Sequence, residues 1–387
     1  ATTETDAYKV ADVIIVDINL DVGKENQHSG ELNKYNIDLS SFKKAITTIG
    51  DHCKEDALIL VETTVPPGTC KEVVTPIIQN CLKNRKLSLD KIKIGHSYER
   101  VMPGPGYIDS IQNFYRVYSG VDEKSADAVE EFLHTIIRTD EYPLTRLGHT
   151  NATEMAKVLE NSYRAMNIAF MVEWSRFAEE AGVDLYEVVD AIRLRPTHSN
   201  LMYPGIGVGG YCLTKDALLA SWARQNLTGQ NDSLSQSEKA ININDQMPRY
   251  AFEFLQKQYP ALSGSKVLLL GVSYRGDVGD TRYSPVEKLF NYLFEAEAII
   301  TCHDPYVDYW EEQSLEIDRN LSKHLDQKFD IIILSTGHSI YKKNQTVNKI
   351  YNLEPLFIFD TIGFLSKEQI NKLNKKHTVK ILGRGDL

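Results

Sequence analysis

A glycine-rich segment that ends in a cysteine is the most chemically suggestive part of this sequence. Residues 204–216 read PGIGVGGYCLTKD, so four glycines precede Cys212. Glycines let a backbone approach a ligand closely. A helix predicted over 214–225 would place the thiol near a helix N-terminus, where the dipole favours thiolate. Cys212 is therefore a candidate nucleophile, and the alternative is a buried, inert cysteine.

Part of the same segment also satisfies the GxGxxG pattern of dinucleotide-binding turns, through Gly205, Gly207 and Gly210. That fingerprint requires a strand immediately before it. The preceding residues, RPTHSNLMY, have no strand pattern. We therefore interpret the segment as a ligand-binding loop and not as a cofactor fingerprint.

Three polar residues have the helical spacing that acid–base chemistry or oxyanion binding requires. Asp216 follows Cys212 by four residues, so its carboxylate can share a helix face with the thiol and hold a lysine or a water molecule. Lys157 and Asn161 are one helical turn apart, and an ammonium and an amide together can hold an oxyanion. The alternatives are capping electrostatics for Asp216 and a solvated helix face for Lys157 and Asn161.

Two further segments follow predicted strands. VETTVPPGT, residues 61–69, puts Thr64 in a turn, and YERVMPG, residues 98–104, puts Glu99 and Arg100 at the same sheet edge. Ligands of open α/β sheets bind beyond such carboxyl ends. A carboxylate there can act as a base and a guanidinium can clamp an anion. An ordinary turn and a surface ion pair are the alternatives.

A third segment of this kind, GVSYRGDVGDTRYSP, occupies residues 271–285. It also follows a predicted strand, so its glycines, Arg275 and Arg282 can grip phosphates.

Short apolar runs that alternate with helical periods predict the framework that carries these residues. In the first 150 residues, the predicted strands cover 11–17, 57–61, 91–95 and 116–120, and the predicted helices cover 41–53, 70–80 and 124–137. This alternation is typical of βαβ units and a parallel sheet. A second series of strands is predicted over 267–271, 298–302, 330–334 and 356–359.

A long helix over 151–181 and a second helix over 185–194 separate the two α/β regions. We therefore expect an α/β domain over 1–148, a central helical domain over 149–258 and a second α/β domain over 259–387. The periodicity of the long helix places Lys157 and Asn161 opposite an apolar face. That face is predicted to consist of Met155, Val158, Leu159, Ser162, Met166 and Ala169.

Composition excludes several classes of partner. The 387 residues include 53 acidic and 43 basic side chains, a formal net charge of −10. No overall positive field gathers phosphate backbones or anionic lipid, so neither nucleic acid nor a membrane is an expected partner. Five cysteines without a CxxC pair or zinc-like spacing predict a reducing, cytoplasmic setting and no metal site. No run of 18 apolar residues predicts a membrane span.

Taken together, these segments resemble the UDP-glucose/GDP-mannose dehydrogenase family of nucleotide-sugar 6-dehydrogenases, from about residue 2 to the C-terminus. The resemblance rests on ordered motifs: ADVIIV, ETTVPPGT, ERVMPG, EMAKVLENSYRAMNIAF with PGIGVGGYCLTKD, and GDTRYSP followed by HDPYV. It implies two Rossmann-like domains joined by a central helical domain, a homodimer formed through the central helices and a role in polysaccharide biosynthesis. ERVMPG is similar to the branch that acts on UDP-N-acetylhexosamines.

The resemblance also implies the chemistry. NAD would accept two hydrides as the C6 alcohol of the UDP-sugar is oxidised to a carboxylate, while Cys212 carries a thiohemiacetal and then a thioester. Lys157, Asn161 and Asp216 match the residues that hold the oxyanion and the catalytic water. Glu99 resembles the carboxylate tied to thioester hydrolysis.

Binding residues are implied in the same way. Thr64, which resembles a hydroxyl near the C6 oxygen, lies with Glu99 at the cofactor edge, and Arg282 matches an arginine that reaches the NAD site. Tyr274 and Arg275 match residues that hold the sugar nucleotide, although Arg275 stands where lysine is frequent. The remaining expected substrate contacts are Arg100, Tyr203, Gly207, Gly209 and Gly210.

One departure from the family pattern concerns the cofactor. The family begins with a strand and a glycine-rich turn for the NAD pyrophosphate, and nothing before Ala11 supplies them. The first βαβ unit, about 30 residues, is therefore absent from the first domain. Either the sequence is a piece of a longer protein or normal NAD binding has been lost, and we expect weak NAD binding by these 387 residues.

Two alternatives to this function stay open. The first keeps the chemistry and takes UDP-glucose or GDP-mannose as the substrate. The second is a non-catalytic nucleotide-sugar-binding relative, which the absent βαβ unit suggests. The presence of Cys212, Lys157 and Asp216 together argues against the second.

Overall fold

The computed structural model describes residues 2–26, 32–101, 104 and 106–387. The chain divides into two compact units. The first unit comprises Ala1–Glu25, Lys34–Ser162 and Lys215–Glu238, and the second comprises Asn26–Asn33, Tyr163–Thr214 and Lys239–Leu387. Each unit contains one five-stranded sheet.

From residue 40 to residue 146 helices and strands alternate, as the apolar runs predict, whereas three strands lie between residues 13 and 37, where one was predicted. The elements up to residue 146 are α1 (Asp6–Val10), β1 (Val13–Val16), β2 (Val22–Asn26), β3 (Leu32–Ile37), α2 (Ser40–His52), β4 (Leu58–Val61), a π-helical turn (Cys70–Val74) leading into α3 (Thr75–Asn84), β5 (Lys93–Tyr98), α4 (Tyr107–Gln112), β6 (Val117–Gly120), α5 (Glu123–His134) and β7 (Thr145–Arg146). β2 and β3 form a separate two-stranded sheet.

The sheet of the first unit has the order β1-β4-β5-β6-β7. β4 pairs in parallel with both β1 and β5, and its residues are all buried because both faces of the sheet are covered. β6 is antiparallel to β5, so the expectation of a wholly parallel sheet is wrong at this strand. A parallel return is usually carried by a helix that crosses the sheet, and the helix in the described part of this link is the six-residue α4.

Four helices follow. They are α6 (Thr150–Ala181), α7 (Leu185–Arg193), α8 (Asp216–Asn226) and α9 (Ser235–Gln258). α6 has 32 residues, of which those up to Ser162 belong to the first unit. No described helix is long and apolar enough to cross a membrane.

The buried face of α6 differs from the predicted one. Met155 and Leu159 are 55% and 63% exposed, whereas Glu154 and Lys157 are buried at 0% and 8%. Polar side chains can occupy a buried face when each finds a hydrogen-bond partner, and periodicity in hydrophobicity cannot reveal such partners. Val158, which was assigned to the buried face, does pack into the core of the first unit.

The second unit contains the C-terminal α/β region. Its elements are β8 (Lys266–Leu270), α10 (Pro285–Glu295), β9 (Ile299–His303), β10 (Tyr309–Trp310), β11 (Leu315–Glu316), α11 (Leu321–His324), β12 (Ile331–Leu334), α12 (Asn344–Asn352), β13 (Phe357–Asp360), α13 (Lys367–Leu373) and β14 (Thr378–Ile381). The four predicted strands of this region are all present.

The sheet of the second unit is wholly parallel, with the order β14-β13-β12-β8-β9. From β8 the chain first adds β9 on one side and later adds β12 on the other. The strand order therefore reverses between β8 and β12, and the crevice outside their carboxyl ends is where open α/β sheets bind ligands.

Candidate active site

Lys157 is a buried lysine on α6. It is 8% exposed, and its Nζ donates a hydrogen bond to the backbone carbonyl of Glu99 at 3.0 Å. The ammonium also lies 5.6 Å from the centre of the Tyr98 ring. A solvated helix face, the alternative for this residue, is therefore wrong, because a buried ammonium is held only by such partners.

Asp216 is the first residue of α8 and is fully buried. Asn161 Nδ2 donates to Asp216 Oδ2 at 2.6 Å, and Lys215 Nζ lies 3.2 Å from Oδ1. Burial raises the pKa of the Asp216 carboxyl, while Lys215, the hydrogen bond from Asn161 and the charge of Lys157 oppose that rise. Lys157, Asn161, Lys215 and Asp216 thus form one buried polar group, named here the Lys157 cluster.

The sequence analysis predicted no role for Lys215. In the structure Lys215 is 5% exposed and pairs with Asp216. Its position beside an acidic residue at a helix start gave no reason to expect burial. Asp216 is in the first turn of α8, as the capping alternative requires, and its carboxylate also contacts Asn161 and Lys215.

Glu99 and Arg100 directly follow β5, as expected. The Glu99 carboxylate accepts a hydrogen bond from the backbone N–H of Val101. Arg100 forms an ion pair with Glu160 at 3.1 Å and donates to the Tyr115 carbonyl at 2.8 Å. The guanidinium is therefore engaged within the first unit, in the ion pairing that was the alternative for this motif.

Thr64 lies in the turn after β4 and is partly exposed. Its neighbour Thr63 is buried and donates its hydroxyl to the Ile18 carbonyl at 2.8 Å. This bond ties the turn after β4 to the segment that follows β1, so Thr64 projects from a fixed backbone.

Glu154 is a buried carboxylate that the sequence analysis missed. Its Oε2 accepts the backbone N–H of Gly68 at 2.6 Å, and its Oε1 accepts that of Cys70 at 2.8 Å. Burial raises the pKa of Glu154 to about 7 against these hydrogen bonds. The contact joins the turn after β4 to α6, one helical turn before Lys157. The spacing of Glu154, Lys157 and Asn161, at i, i+3 and i+7, is the signal that marks one shared face.

Cys212 lies in the second unit and is exposed, which excludes the buried, inert alternative. α8 begins at Asp216 and not at residue 214, so Cys212 lies in the turn before the helix. The argument that Cys212 and Asp216 share a helix face is therefore wrong. All five cysteines are in the described part of the chain, and none forms a disulfide bond.

The last two glycines before Cys212 are required by close packing. A Cβ at Gly209 would lie 2.6 Å from both Tyr274 Cβ and the Tyr283 carbonyl oxygen. At Gly210, where φ is +82°, a Cβ would lie 2.9 Å from the Tyr274 ring. The glycine loop therefore packs directly on Tyr274, one of the residues predicted to hold the sugar nucleotide.

Asn244 of α9 holds the middle of the same loop. Its Oδ1 accepts the Val208 N–H at 2.7 Å, and its Nδ2 donates to the Val208 carbonyl at 2.9 Å. Gly207, at φ +113°, lies beside it, and a Cβ there would lie 3.2 Å from Asn244 Oδ1. Sequence reasoning missed Asn244, because an asparagine inside a helix normally faces solvent.

Arg275 is exposed in the loop after β8. Arg282 follows in the same loop and pairs with Asp280 through two nitrogens, at 3.0 and 2.7 Å. The Tyr203 ring stacks on the Tyr186 ring, with 5.9 Å between the ring centres. Tyr203 also helps to line a cavity of about 290 Å³ in the second unit. The roles predicted for Arg275, Arg282 and Tyr203 stay predictions.

Comparison with known protein families shows the family to which this chain belongs. Sequence models of three domains of the UDP-glucose/GDP-mannose dehydrogenase family match the chain: the NAD binding domain over residues 1–137, the central domain over 151–246 and the UDP binding domain over 268–367. The chain belongs to this family. It is a nucleotide-sugar dehydrogenase with NAD as its cofactor, which confirms the predicted α/β fold, enzyme class and cofactor.

Individual members of this family are similar to the chain in sequence and in structure. A UDP-N-acetyl-D-mannosamine dehydrogenase of Methanocaldococcus jannaschii is 32% identical over 352 residues, which cover 90% of this chain and 75% of that protein. A UDP-N-acetyl-D-mannosamine dehydrogenase of Pyrococcus horikoshii is 33% identical over 313 residues, which cover 79% of this chain and 68% of that protein. The structure of UDP-D-ManNAc dehydrogenase from Pyrococcus horikoshii aligns with a TM-score of 0.79 at 27% identity, covering 100% of this chain and 84% of that one.

The described residues do not fit the pyrophosphate of NAD. Between β1 and α2 the one glycine among them is Gly23, and it lies within β2 instead of in a strand-to-helix turn. Carboxylates follow the parallel strands: Asp17 after β1 and Glu62 after β4. Burial raises the pKa of Glu62, the charge of Arg116, which pairs with it at 3.0 Å, opposes that rise, and the charges of Glu99 and Asp17 add to it. Between β1 and α2 the described residues therefore supply no glycine turn of the kind that binds a pyrophosphate.

Proposed function

We propose that this protein oxidises the C6 alcohol of a UDP-N-acetylhexosamine to the corresponding uronic acid in two steps. The observation that carries the proposal is the buried Lys157 cluster, which presents an ammonium, an amide and a carboxylate on one buried surface. NAD, when bound, accepts one hydride in each step. The names of the relatives that are 32% and 33% identical support the substrate class.

Cys212 is proposed as the covalent nucleophile. Its thiolate adds to the C6 aldehyde formed in the first step and gives a thiohemiacetal. Loss of a hydride and a proton from that adduct gives a thioester, and water then cleaves the C–S bond to release the carboxylate and the thiol. The exposed position of Cys212 after a loop that Asn244 holds in place supports this role.

Lys157 and Asn161 are proposed to stabilise the oxyanion of the thiohemiacetal and of the thioester hydrolysis step. Both present N–H donors that burial holds in place, and preorganised donors of this kind act on charge that develops in the transition state. Asp216 orients Asn161 through the 2.6 Å hydrogen bond and is proposed to hold the attacking water, with Glu99 assisting hydrolysis. Thr64 is proposed to lie near the C6 oxygen.

The nucleotide is proposed to bind in the second unit, outside the carboxyl ends of β8 and β12. Tyr274 and Arg275 follow β8 at this point, where the strand order reverses. The match of the family's UDP binding domain to residues 268–367 supports this placement. The proposed three-domain division, 1–148, 149–258 and 259–387, accords with the three matched ranges.

The substrate class gives a direct prediction. UDP-N-acetylglucosamine or UDP-N-acetylmannosamine is expected to be oxidised with a higher kcat/KM than UDP-glucose, because discrimination is a ratio of transition-state affinities. The measurement is NADH formation at saturating NAD with each nucleotide sugar and with GDP-mannose. A kcat/KM for UDP-glucose or GDP-mannose that equals or exceeds those for the acetylated sugars would select the alternative substrates. Absence of NADH with every sugar, in a protein that titration shows to bind NAD, would favour the non-catalytic relative.

A homodimer is proposed through one face of α6. This face, named the α6 stripe, consists of Tyr163, Phe170, Trp174 and Phe177, which are all exposed and follow one another at spacings of seven, four and three residues. A contiguous apolar surface of this kind marks a protein interface, and heptad-like spacing suits a second helix of the same sequence.

Charge placed on the α6 stripe is expected to separate the subunits. Phe170→Asp with Trp174→Asp would bury two carboxylates in the interface, so the mass in sedimentation equilibrium should fall from twice the chain mass to the chain mass. Arg164→Ala, at an exposed position on another side of the same helix, is the matched control and should leave the mass unchanged. A wild-type protein that is monomeric at tens of micromolar would contradict the proposal.

We also propose a cytoplasmic location and a role in polysaccharide biosynthesis. Five cysteines without a disulfide bond support the location, since a reducing compartment maintains that state.

A further inference from the structure

Two segments of the second unit are joined side by side at the carboxyl ends of β8 and β12. The first, residues 271–277, carries Tyr274 and Arg275, and the second is residues 335–339. Ser335 Oγ donates to the Gly271 carbonyl at 2.7 Å, and Thr336 Oγ1 donates to the Ser273 carbonyl at 2.6 Å. A Cβ at Gly276 would lie 2.3 Å from the carbonyl oxygen of Gly337. The two backbones are therefore in direct contact.

His338 is the fully buried member of the second segment, and both of its ring nitrogens are engaged. Nδ1 lies 2.9 Å from the backbone nitrogen of Asp277, and Nε2 lies 2.9 Å from Asp304 Oδ2. The Asp277 N–H is a donor, so Nδ1 accepts, and the proton of the neutral ring lies on Nε2 and is donated to Asp304. One tautomer satisfies both contacts.

Asp304 does not depend on His338 alone. Its Oδ2 also accepts the backbone N–H groups of Val272 and Ser273, at 2.9 and 3.1 Å, and Oδ1 accepts that of Tyr306 at 2.9 Å. Burial alone would raise the pKa of Asp304, but His338 and these backbone donors lower it to about 2. The carboxylate is therefore an anchor that stays charged, and it has other donors when the histidine is replaced.

Asp277, in contrast, is held in an unfavourable backbone conformation. Its φ is +59°, a left-handed value that costs a non-glycine residue energy. Its carboxylate accepts the Ser339 N–H at 2.9 Å and the Ser339 hydroxyl. His338 thus accepts the backbone N–H of Asp277, and Ser339 donates to its carboxylate. Asp277 is the residue at which the chain turns after Tyr274 and Arg275.

We propose that His338 is a positioning residue for the nucleotide: its Nδ1 holds the Asp277 N–H and thereby fixes the turn that presents Tyr274 and Arg275 to the UDP moiety of the substrate. The identity of the ligand rests on the proposed function. The role of His338 rests on the contacts of the ring with Asp277 and Asp304 and on the left-handed turn.

Two substitutions separate the two ring contacts. In His338→Asn the side-chain oxygen can take the place of Nδ1 and still accept the Asp277 N–H, whereas the donor to Asp304 is lost. In His338→Gln the amide reaches the position of Nε2, so Asp304 keeps a donor and Asp277 loses its acceptor. If the Asp277 contact positions the turn, UDP affinity should separate the two variants, although both lose stability.

The experiment is titration of each variant with UDP, followed by kinetics with the preferred UDP-sugar. His338→Asn is expected to bind UDP within about threefold of wild type, and His338→Gln about tenfold more weakly, as for the loss of one hydrogen bond to a strained turn. KM for the UDP-sugar should rise in the Gln variant while kcat changes little, because His338 contacts no reacting group. Restoration of affinity by Asn is the result that a merely structural role would not give.

His377 provides the matched control. It is also a buried histidine of the second unit, and its Nδ1 accepts the backbone N–H of Leu356 at 3.3 Å. His377→Gln should lose stability and keep the wild-type UDP affinity. Equal UDP affinities of the Asn and Gln variants of His338, or an equal weakening in His377→Gln, would overturn the proposal.

Two further measurements test the role of His338 if a variant does not fold or if UDP does not bind. If His338→Gln does not fold, Ser339→Ala removes the other support of Asp277 from an exposed position and should weaken UDP binding about fivefold. If wild type itself does not bind UDP, the proposed function fails, and hydrogen exchange over residues 271–280 decides the role of His338. Exchange should be faster in the Gln variant than in the Asn variant, and equal rates would contradict that role.

Discussion

Cys212→Ala is expected to abolish net formation of the uronic acid. Alanine has no nucleophile to trap the C6 aldehyde, so neither the thiohemiacetal nor the thioester can form, and acid production should fall by about a thousandfold or more. The measurement is the amount of acid and NADH formed from the preferred UDP-sugar at saturating NAD. UDP affinity should be unchanged, because the nucleotide is proposed to bind at β8 and β12.

Cys302→Ala is the matched control for this experiment. Cys302 also lies in the second unit but is buried on β9, where burial raises the pKa of its thiol to about 12. That thiol is protonated at neutral pH and cannot act as a thiolate nucleophile, so acid formation should persist. Substitution of Cys53, Cys70 or Cys81 should likewise leave activity in place. Full turnover by Cys212→Ala would exclude the covalent mechanism.

Lys157→Ala is expected to lower the turnover number by about 100-fold or more, as for the loss of one preorganised oxyanion donor. The substitution removes the ammonium that donates to the Glu99 carbonyl. It also removes the positive charge that lowers the pKa of Asp216. Lys157→Met keeps most of the aliphatic packing and should show the same loss of kcat. Steady-state kinetics and thermal unfolding, measured on the same preparations, separate the catalytic effect from a loss of stability.

Arg164→Ala is the control on the same helix. Arg164 is exposed, and its removal should change kcat by less than about twofold. If Lys157→Met retained the wild-type turnover number while unfolding at the same temperature, Lys157 would be a buried structural residue and the proposed oxyanion role would be wrong.

Hydrophobic periodicity predicted the strands well because their apolar runs are short and bounded by polar residues. The strands over 57–61 and 330–334 appear with nearly those limits, as β4 and β12. The direction of β6 was not predictable in the same way, because hydrophobic periodicity does not report how the chain returns from one strand to the next. The start of α8 was placed two residues early, because glycine and threonine signals mark a turn more clearly than the first helical residue.

The polar groups of the site were harder to predict. Lys157, Asn161 and Asp216 were recognised through their motif, but Glu154 and Lys215 were not, because burial of a charge depends on partners distant in sequence. Glu154 is satisfied by amides more than 80 residues away, at Gly68 and Cys70. Hydrophobicity therefore predicted burial wrongly for Met155 and Leu159 and missed the burial of Glu154 and Lys157, which depends on three-dimensional contacts.

The packing of Gly209 and Gly210 on Tyr274 has a consequence for how this enzyme can change during evolution. At Gly210 the obstructing atoms belong to the Tyr274 ring, so a smaller residue at position 274 would remove the clash, although φ of +82° would still disfavour a side chain. At Gly209 the obstruction includes the Tyr283 carbonyl, which no side-chain substitution removes. A side chain at position 209 therefore requires the backbone at Tyr283 to move, so this glycine is constrained by main chain and the glycine at 210 by a side chain and its own φ.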